Sequence, residues 1–239
     1  MTPSTSDWKI KIFADGADKA GIMASSRNPL IKGFTTNPTL MRKAGIADYE
    51  AFAREIVALV PDRPISFEVF SDDFDEMAVQ ARKIATWGQN VYVKIPVTNT
   101  QGVSAVPLVK TLAGQGVQCN VTALFTLEQV EAVSGALADG PHCYISVFAG
   151  RIADSGRDPV PMMRKALEIM APHPHQELIW ASPREVLNIV QADEIGCHVI
   201  TVTNDLLAKL GSIGKDLEKF SLETVQMFRN DAVAAGFSL

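Results

Sequence analysis

A lysine lies in the middle of a short apolar run, Val91-Tyr92-Val93-Lys94-Ile95-Pro96-Val97. A run of β-branched and aromatic residues between polar turns predicts a strand buried on both faces. An ammonium group there loses its hydration, so Lys94 must reach an aqueous end of the sheet or give up its proton. A neutral amine attacks carbonyl carbons and forms Schiff bases. The alternative is a lysine that extends to solvent or pairs with a carboxylate, as most lysines do.

Other polar residues recur in or just after the predicted strands. In barrel enzymes the carboxyl ends of the strands carry the active site, so these side chains are expected to meet in one pocket. A single such residue is often a helix cap or a hydrogen-bonded core group. A ring of buried carboxylates and amines has a desolvation cost that folding alone does not explain. The ring consists of Asp15, Asn37, Glu68, Lys94, Asn120, Thr122, Ser146 and Ser182.

Two arginines also follow predicted strands. Arg151 lies in a glycine-containing turn, and Arg184 lies at the start of a helix predicted over residues 183–195, just after Ser182. Helix N-terminal amides, a serine hydroxyl and two guanidinium groups together form a site for phosphate or sulfonate. The alternative is that both are surface arginines without a ligand.

The elements that must position these residues alternate between short apolar runs and amphipathic stretches along the whole chain. This alternation predicts eight βα units, helix caps at Asp48, at Asp72 or Asp73 and at Thr126, and an additional helix over residues 222–235. We therefore predict one domain, residues 1–239, folded as a single α/β (β/α)8 TIM barrel with residues 215–239 as a C-terminal helical extension. A doubly wound open sheet is the alternative, but its first-turn Gly-x-Gly-x-x-Gly pattern is missing.

Composition excludes several classes of function. The 239 residues are 47% hydrophobic, enough for a large core, and the net charge of -5 argues against a nucleic-acid partner. Cys119, Cys143 and Cys197 lie in apolar runs without metal-ligand spacing, which predicts reduced, buried thiols in a cytoplasmic protein with no metal site. No apolar run approaches the roughly 20 residues of a membrane span, so we expect no membrane partner.

In their order along the chain, seven motifs resemble those of the transaldolase family, in particular its compact branch, which also contains fructose-6-phosphate aldolases. The resemblance extends from about Phe13 to Leu210. The motifs are Ala14-Asp15-Gly16, Thr35-Thr36-Asn37-Pro38-Thr39-Leu40, Phe67-Glu68-Val69, Val93-Lys94-Ile95-Pro96, Asn120-Val121-Thr122, Ser146-Val147-Phe148-Ala149-Gly150-Arg151-Ile152-Ala153-Asp154 and Ala181-Ser182-Pro183-Arg184.

This resemblance implies a class I aldolase-type barrel. It implies that Lys94 forms the Schiff base, that Asp15 is the acid/base at the cleaved bond, and that Glu68 with Thr122 positions a catalytic water. The expected reaction transfers a three-carbon dihydroxyacetone unit from a ketose phosphate to an aldose acceptor, without a cofactor, in a homo-oligomer. The implied substrate-binding residues are Asn37, Asn120, Ser146 and Phe148 for the sugar and Arg151, Ser182 and Arg184 for its phosphate.

The sequence departs from the family pattern around the expected phosphate. Val147 replaces a proline, Ala149 replaces a valine, and Pro183-Arg184-Glu185 replaces Phe-Arg-Asn. A modified sugar, for example a sulfonated one, therefore stays open as a substrate. Three functions remain: a transaldolase, a ketose-phosphate aldolase, and a phosphosugar-binding barrel without catalysis. Glu68 and Phe148 favour the transaldolase, because the aldolases typically have glutamine and tyrosine there.

Overall fold

Parallel strands form a closed barrel in the computed structural model, which describes residues 8–237. Each strand pairs with the next in sequence order, and the last pairs with the first, so the predicted (β/α)8 barrel is confirmed. The strands are β1 (Lys11–Asp15), β2 (Ile31–Thr35), β3 (Ile65–Glu68), β4 (Val91–Pro96), β5 (Cys119–Leu124), β6 (Cys143–Val147), β7 (Gln176–Trp180) and β8 (Val199–Thr203).

Helices connect these strands around the outside of the barrel. Several begin at local capping signals: Asp48 and Asp73 accept hydrogen bonds from the first turn, and Thr126 forms the predicted capping box with Gln129. The helices are α1 (Lys19–Ser26), α2 (Pro38–Lys43), α3 (Tyr49–Leu59), α4 (Phe74–Ala85), α5 (Val106–Gly114), α6 (Leu127–Ala136), α7 (Ala149–Asp154), α8 (Val160–Met170), α9 (Leu187–Glu194), α10 (Asn204–Leu207) and α11 (Leu217–Ala234).

The barrel core has two parts. One large apolar cluster joins the strands to the helices, and a smaller cluster around Phe13, Tyr92 and Tyr144 is separate from it. Side chains two residues apart along a strand share a face, so the residue two positions after each of these aromatics lies on the same side of the sheet. Those residues are Asp15, Lys94 and Ser146. The aromatic cluster therefore lies directly below the polar layer that the sequence predicts.

Some predicted helix boundaries are wrong. Helix α9 begins at Leu187 and not at residue 183, because Ser182 takes a left-handed backbone conformation (φ 61°) and the Asn188 side chain accepts the backbone N–H groups of Arg184 and Glu185. The expected glycine turn after β6 is the short helix α7. Helix α11 begins at Leu217, five residues earlier than predicted, where Asp216 caps it.

Two further features concern the surface and the cysteines. None of the side chains of α11 is buried, although it carries several large apolar residues. Cys119, Cys143 and Cys197 are buried free thiols, and burial raises the pKa of each to about 12. Among residues 8–237, no helix is both long enough and apolar enough to cross a membrane.

Candidate active site

A cavity of about 370 Å³ opens at the carboxyl end of the barrel. Every predicted site residue lines it except Glu68, which contacts Lys94, and Asn120, which contacts Ser146. The residues come from β1, β2, β4, β5, β6 and β8 and from the segments that follow β2, β6, β7 and β8. Parallel strands end at the same edge of a barrel, so residues far apart in sequence meet there.

Lys94 is buried in this cavity with an acidic partner. Its side chain is 9% exposed, and Nζ lies 3.2 Å from Oε2 of Glu68 and donates a hydrogen bond of 3.1 Å to the carbonyl oxygen of Thr36. Lys94 and Glu68 are register partners on β4 and β3, so the barrel itself brings the amine and the carboxylate together. The apparently isolated lysine of the local sequence is therefore part of an ion pair in the folded chain.

Asp15 ends β1 on the same side of the sheet. Burial raises the pKa of its carboxyl group, against the opposing effects of the Lys94 charge and of a hydrogen bond from Thr35. The Thr35 hydroxyl donates to Oδ1 of Asp15 at 2.7 Å. A carboxyl group whose pKa is raised toward the working pH can both accept and return a proton, which general acid/base catalysis requires.

Asn120 does not line the cavity because it is fully buried behind Ser146. The Ser146 hydroxyl donates to Oδ1 of Asn120 at 2.7 Å, and Nδ2 of Asn120 donates to the Ser66 hydroxyl at 2.9 Å. Asn120 therefore orients the Ser146 hydroxyl, which is the group that faces the cavity.

Two further polar groups, on Thr122 and Asn37, are positioned by the local backbone. The pairing of β5 with β6 shifts after Val121, and Ala123 has φ 63°, so a strand irregularity lies directly beside Thr122. Thr122 lines the cavity, and its Oγ1 atom is buried without a hydrogen-bond partner within residues 8–237. Asn37 caps α2 through its side-chain oxygen, which leaves its amide NH₂ group for a ligand.

The two predicted arginines lie at the rim of the cavity. Arg184 Nε lies 3.0 Å from both carboxylate oxygens of Asp154, and its Nη2 donates to the same group. This hydrogen bonding lowers the pKa of Asp154. The Arg151 guanidinium lies 5.2 Å from the centre of the Phe148 ring, within the range of a cation–π contact. Both guanidinium groups are thus held by neighbours on α7 or just before it.

A close backbone contact joins the two segments that carry these arginines. The Gly150 N–H donates to the Ala181 carbonyl at 3.3 Å, and a Cβ atom on Gly150 would lie 1.5 Å from the Ser182 carbonyl oxygen. Only glycine allows this approach. Gly150 precedes Arg151, and Ser182 lies two residues before Arg184, so the contact fixes the distance between the two backbone segments that carry the arginines.

The sequence interpretation missed four polar residues that line the cavity: Thr35, Thr201, Thr203 and Asp205. The signal for two of them was available, because Thr201 and Thr203 alternate in the last strand and therefore share a face. A hydrogen bond with Thr203 lowers the pKa of Asp205. Within the described part of the chain, no group of three His, Cys, Asp or Glu side chains is arranged to hold a metal ion.

A closed parallel barrel with a lysine amine, a carboxyl group and a rim of arginines at the carboxyl ends of its strands defines the aldolase class of barrel enzymes. Residues 12–239 match the family described as transaldolase/fructose-6-phosphate aldolase, and the chain belongs to this family.

Relatives of similar length agree with this assignment. A probable transaldolase of Dehalococcoides mccartyi is 35% identical over 202 residues, which cover 84% of this chain and 90% of the relative. A probable transaldolase 2 of Listeria monocytogenes is 36% identical over 206 residues, covering 85% of this chain and 89% of the relative.

More distant solved structures share the fold alone. The crystal structure of a 2,3-dimethylmalate lyase is 16% identical, with a TM-score of 0.56 over 98% of this chain and 86% of that one. The crystal structure of a KGPDC from Streptococcus mutans is 11% identical, with a TM-score of 0.57 over 82% of this chain and 88% of that one.

Proposed function

We propose that this protein is a transaldolase. It transfers a three-carbon dihydroxyacetone unit from a ketose phosphate to an aldose acceptor through a Schiff base on Lys94. The observation that carries the proposal is that the Lys94 amine and the Asp15 carboxyl group line one cavity whose rim carries two arginines. A binding barrel without catalysis has no need of a buried amine in the same cavity as a carboxyl group whose pKa is raised.

The first step forms the covalent intermediate. Glu68, 3.2 Å from Nζ, accepts a proton from the Lys94 ammonium, and the free amine attacks the ketose carbonyl carbon. Glu68 then returns its proton to the carbinolamine hydroxyl, which leaves as water, and an iminium ion remains. The Thr122 hydroxyl, which has no other partner among the described residues, holds this water together with Glu68.

The second step breaks the carbon–carbon bond. Asp15 accepts the proton of the hydroxyl group on the far side of the scissile bond, a new carbonyl forms there, and the electrons of the broken bond move into the iminium ion. An aldehyde leaves, and a three-carbon enamine stays bound to Lys94. The buried carboxyl group has the raised pKa that allows it to hold this proton until the return step.

The third step decides between transferase and aldolase. If the enamine is held until an aldose acceptor arrives, it attacks the acceptor carbonyl, and the steps run in reverse to release a new ketose. Asn37 and the Ser146 hydroxyl, oriented by Asn120, are the groups that hold the enamine. A ketose-phosphate aldolase would instead protonate the enamine and release free dihydroxyacetone.

The rim of the cavity binds the phosphate of the donor in this proposal. Arg151, Arg184 and Ser182 line the cavity, and guanidinium and hydroxyl groups are donors to a phosphate. Arg184 pairs with Asp154 through Nε and Nη2, so Nη1 is the donor that it offers to the anion. A sulfonated sugar has a similar terminal anion, so it is the alternative donor. Sugar phosphates are cytoplasmic metabolites, and the three buried free thiols suit the reducing cytoplasm, where we place the protein.

Borohydride reduction followed by intact-mass measurement tests the Schiff base. With a panel of ketose phosphates, wild-type protein should gain the mass of a reduced three-carbon or sugar adduct, and Lys94→Met should gain none. An adduct on Lys94→Met would refute the assignment of the nucleophile. Wild-type protein without any adduct would leave the binding barrel as the function.

A second assay separates the two enzymes. The protein is incubated with donor alone and then with donor plus an aldose phosphate. A transaldolase forms a new ketose phosphate only when the acceptor is present, whereas an aldolase releases free dihydroxyacetone in its absence. Parallel reactions with phosphorylated, sulfonated and neutral donors identify the anion that the rim prefers.

A further inference from the structure

We propose that Thr35 and Thr201 are positioning residues that hold one oxygen of Asp15 and thereby select the other oxygen for proton transfer. The inference rests on the proposed function, in which Asp15 is the acid/base. It concerns two hydroxyl groups that have no part in the mechanism described above.

The three side chains come from adjacent strands of the closed barrel. β1 lies between β2 and β8, and Asp15 pairs in register with Thr35 on one side and with Thr203 on the other. Thr201 lies two residues before Thr203 and shares its face. The hydroxyl oxygens of Thr35 and Thr201 are in hydrogen-bond contact across β1. Both threonines are buried, with exposures of 2% and 7%.

The number of available hydroxyl protons sets the direction of the hydrogen bonds between Thr201, Thr35 and Asp15. A hydroxyl group has one proton to donate, and an ionised carboxylate can only accept. Thr35 therefore donates its single proton to Oδ1 of Asp15, at 2.7 Å. It has none left for Thr201, so the Thr201 hydroxyl must be the donor in the second hydrogen bond. The chain runs from Thr201 through Thr35 to Asp15.

The two oxygens of Asp15 consequently differ. Within residues 8–237, Thr35 is the hydrogen-bond donor to Oδ1, and Oδ2 receives no hydrogen bond. Because Asp15 lines the cavity, Oδ2 is the oxygen that can take the hydroxyl proton of the substrate. A donor that itself accepts a hydrogen bond is polarised and donates more strongly, so Thr201 strengthens the contact made by Thr35.

This arrangement also offsets the cost of burial. Without a donor on Oδ1, the charged form of Asp15 would be less stable, and the carboxyl group would ionise only at higher pH. Lys94, which is paired with Glu68 on β3, is the charged group that acts on Asp15 from β4. The other charged side chains lining the cavity are Arg151, Arg184 and Asp205. None of these is altered in the variants below, so a change in the pH dependence reports the hydroxyl groups.

The test is the pH profile of single-turnover cleavage in Thr35→Val and Thr201→Val, with the serine variants at both positions. Valine has the shape of threonine without the hydroxyl group, and serine restores the hydroxyl. In Thr35→Val we expect cleavage to slow about 10- to 100-fold, the range of a hydrogen bond to a charged group. The acidic limb of the profile should move to higher pH, because ionised Asp15 is the base. KM should change little.

Thr201→Val should shift the acidic limb in the same direction by a smaller amount. Because Thr201 acts through Thr35, the double valine variant should be no worse than Thr35→Val alone. Serine at either position should return the limb to its wild-type place. Ser134→Ala is the control: this buried hydroxyl donates to Gln176 between α6 and β7, away from the cavity, and its loss should leave the profile unchanged.

The results separate this inference from the proposed function. If wild-type protein forms no borohydride-trapped adduct, the proposed function itself fails. If the wild type cleaves its donor but both valine variants keep the wild-type acidic limb, the positioning role is refuted. A higher KM with an unmoved limb would make the threonines substrate ligands instead. Additive effects in the double variant would refute the hydrogen-bond chain from Thr201 to Asp15. If Thr35→Val does not fold, Thr201→Val, which keeps the contact between Thr35 and Asp15, tests the positioning role instead.

Discussion

Gly150→Ala should damage the anion site although it replaces a helical glycine by a better helix former. Helix propensity alone predicts a gain of up to about 1 kcal/mol. The new Cβ atom, however, would lie 1.5 Å from the Ser182 oxygen and 2.6 Å from its carbonyl carbon. Carbon–oxygen contacts need well over 3 Å, so the two backbone segments must separate by roughly 1.5–2 Å. Such overpacking typically costs about 1–3 kcal/mol, more than the propensity returns.

The separation should act on the arginines and not on Lys94. Arg151 follows Gly150 directly and Arg184 follows Ser182 by two residues, whereas Lys94 lies on β4. A displacement of about 1 Å at a positioning group can cost on the order of 100-fold in rate. We expect kcat/KM for a phosphorylated donor to fall by about this factor. The value for the neutral sugar should change much less, and borohydride trapping at saturating neutral ketose should persist.

The assay compares steady-state kinetics on both donors with the melting temperature. Gly135→Ala in α6 is the matched control, because a Cβ atom there has no neighbour within 4 Å. This control should keep full activity and melt at the same or a higher temperature. The reasoning is wrong if Gly150→Ala keeps both the wild-type melting temperature and the wild-type preference for phosphorylated donors.

Four other expectations can be checked separately. Arg184→Ala should raise KM for a phosphorylated donor about 10- to 100-fold and barely change it for the neutral sugar. Arg184→Lys should restore only part of the affinity, because lysine lacks the planar guanidinium group. Equal effects on both donors would mean that Arg184 supports its loop and does not bind the anion. Because burial raises the pKa of Asp15, the buried charge destabilises the fold at neutral pH, and Asp15→Asn should raise the free energy of unfolding at pH 7. That gain should shrink as the pH falls to the ordinary aspartate range, and a gain that grows on acidification would contradict it. Against the effect of burial, contacts with His142 and Lys11 lower the pKa of Glu177 to about 2. The stabilisation by ionised Glu177 is therefore complete above its ordinary pKa of 4.5 and disappears as the pH falls toward 2. Allowing for solvent screening, Glu177→Gln should lower the free energy of unfolding by on the order of 1–2 kcal/mol at pH 7. At pH 2 it should change it by almost nothing. Finally, we propose that α11 joins copies of this chain into the expected homo-oligomer, because its apolar residues are exposed. Ending the chain at residue 214 should lower the mass measured by light scattering. An unchanged mass would refute this role.

Local sequence patterns determined most of the architecture. Alternating apolar runs and amphipathic stretches predicted the barrel, because strand and helix periodicities are properties of neighbouring residues. The caps at Asp48 and Thr126 were predicted for the same reason. The convergence of polar residues was predicted as well, since every parallel strand of a barrel ends at the same edge.

Only the tertiary structure decided how those polar residues are connected. Glu68 meets Lys94, and Thr201 meets Thr35 beside Asp15, because of register between strands that are distant in the chain. The start of α9 depends on the left-handed conformation of Ser182 and on its contact with Gly150, neither of which a helical pattern reveals. The sequence shows most of the polar groups that reach the site, although it misses Thr35, Thr201, Thr203 and Asp205. Strand register and close backbone contact determine which group donates to which, and pairings across the barrel leave no local pattern in the chain.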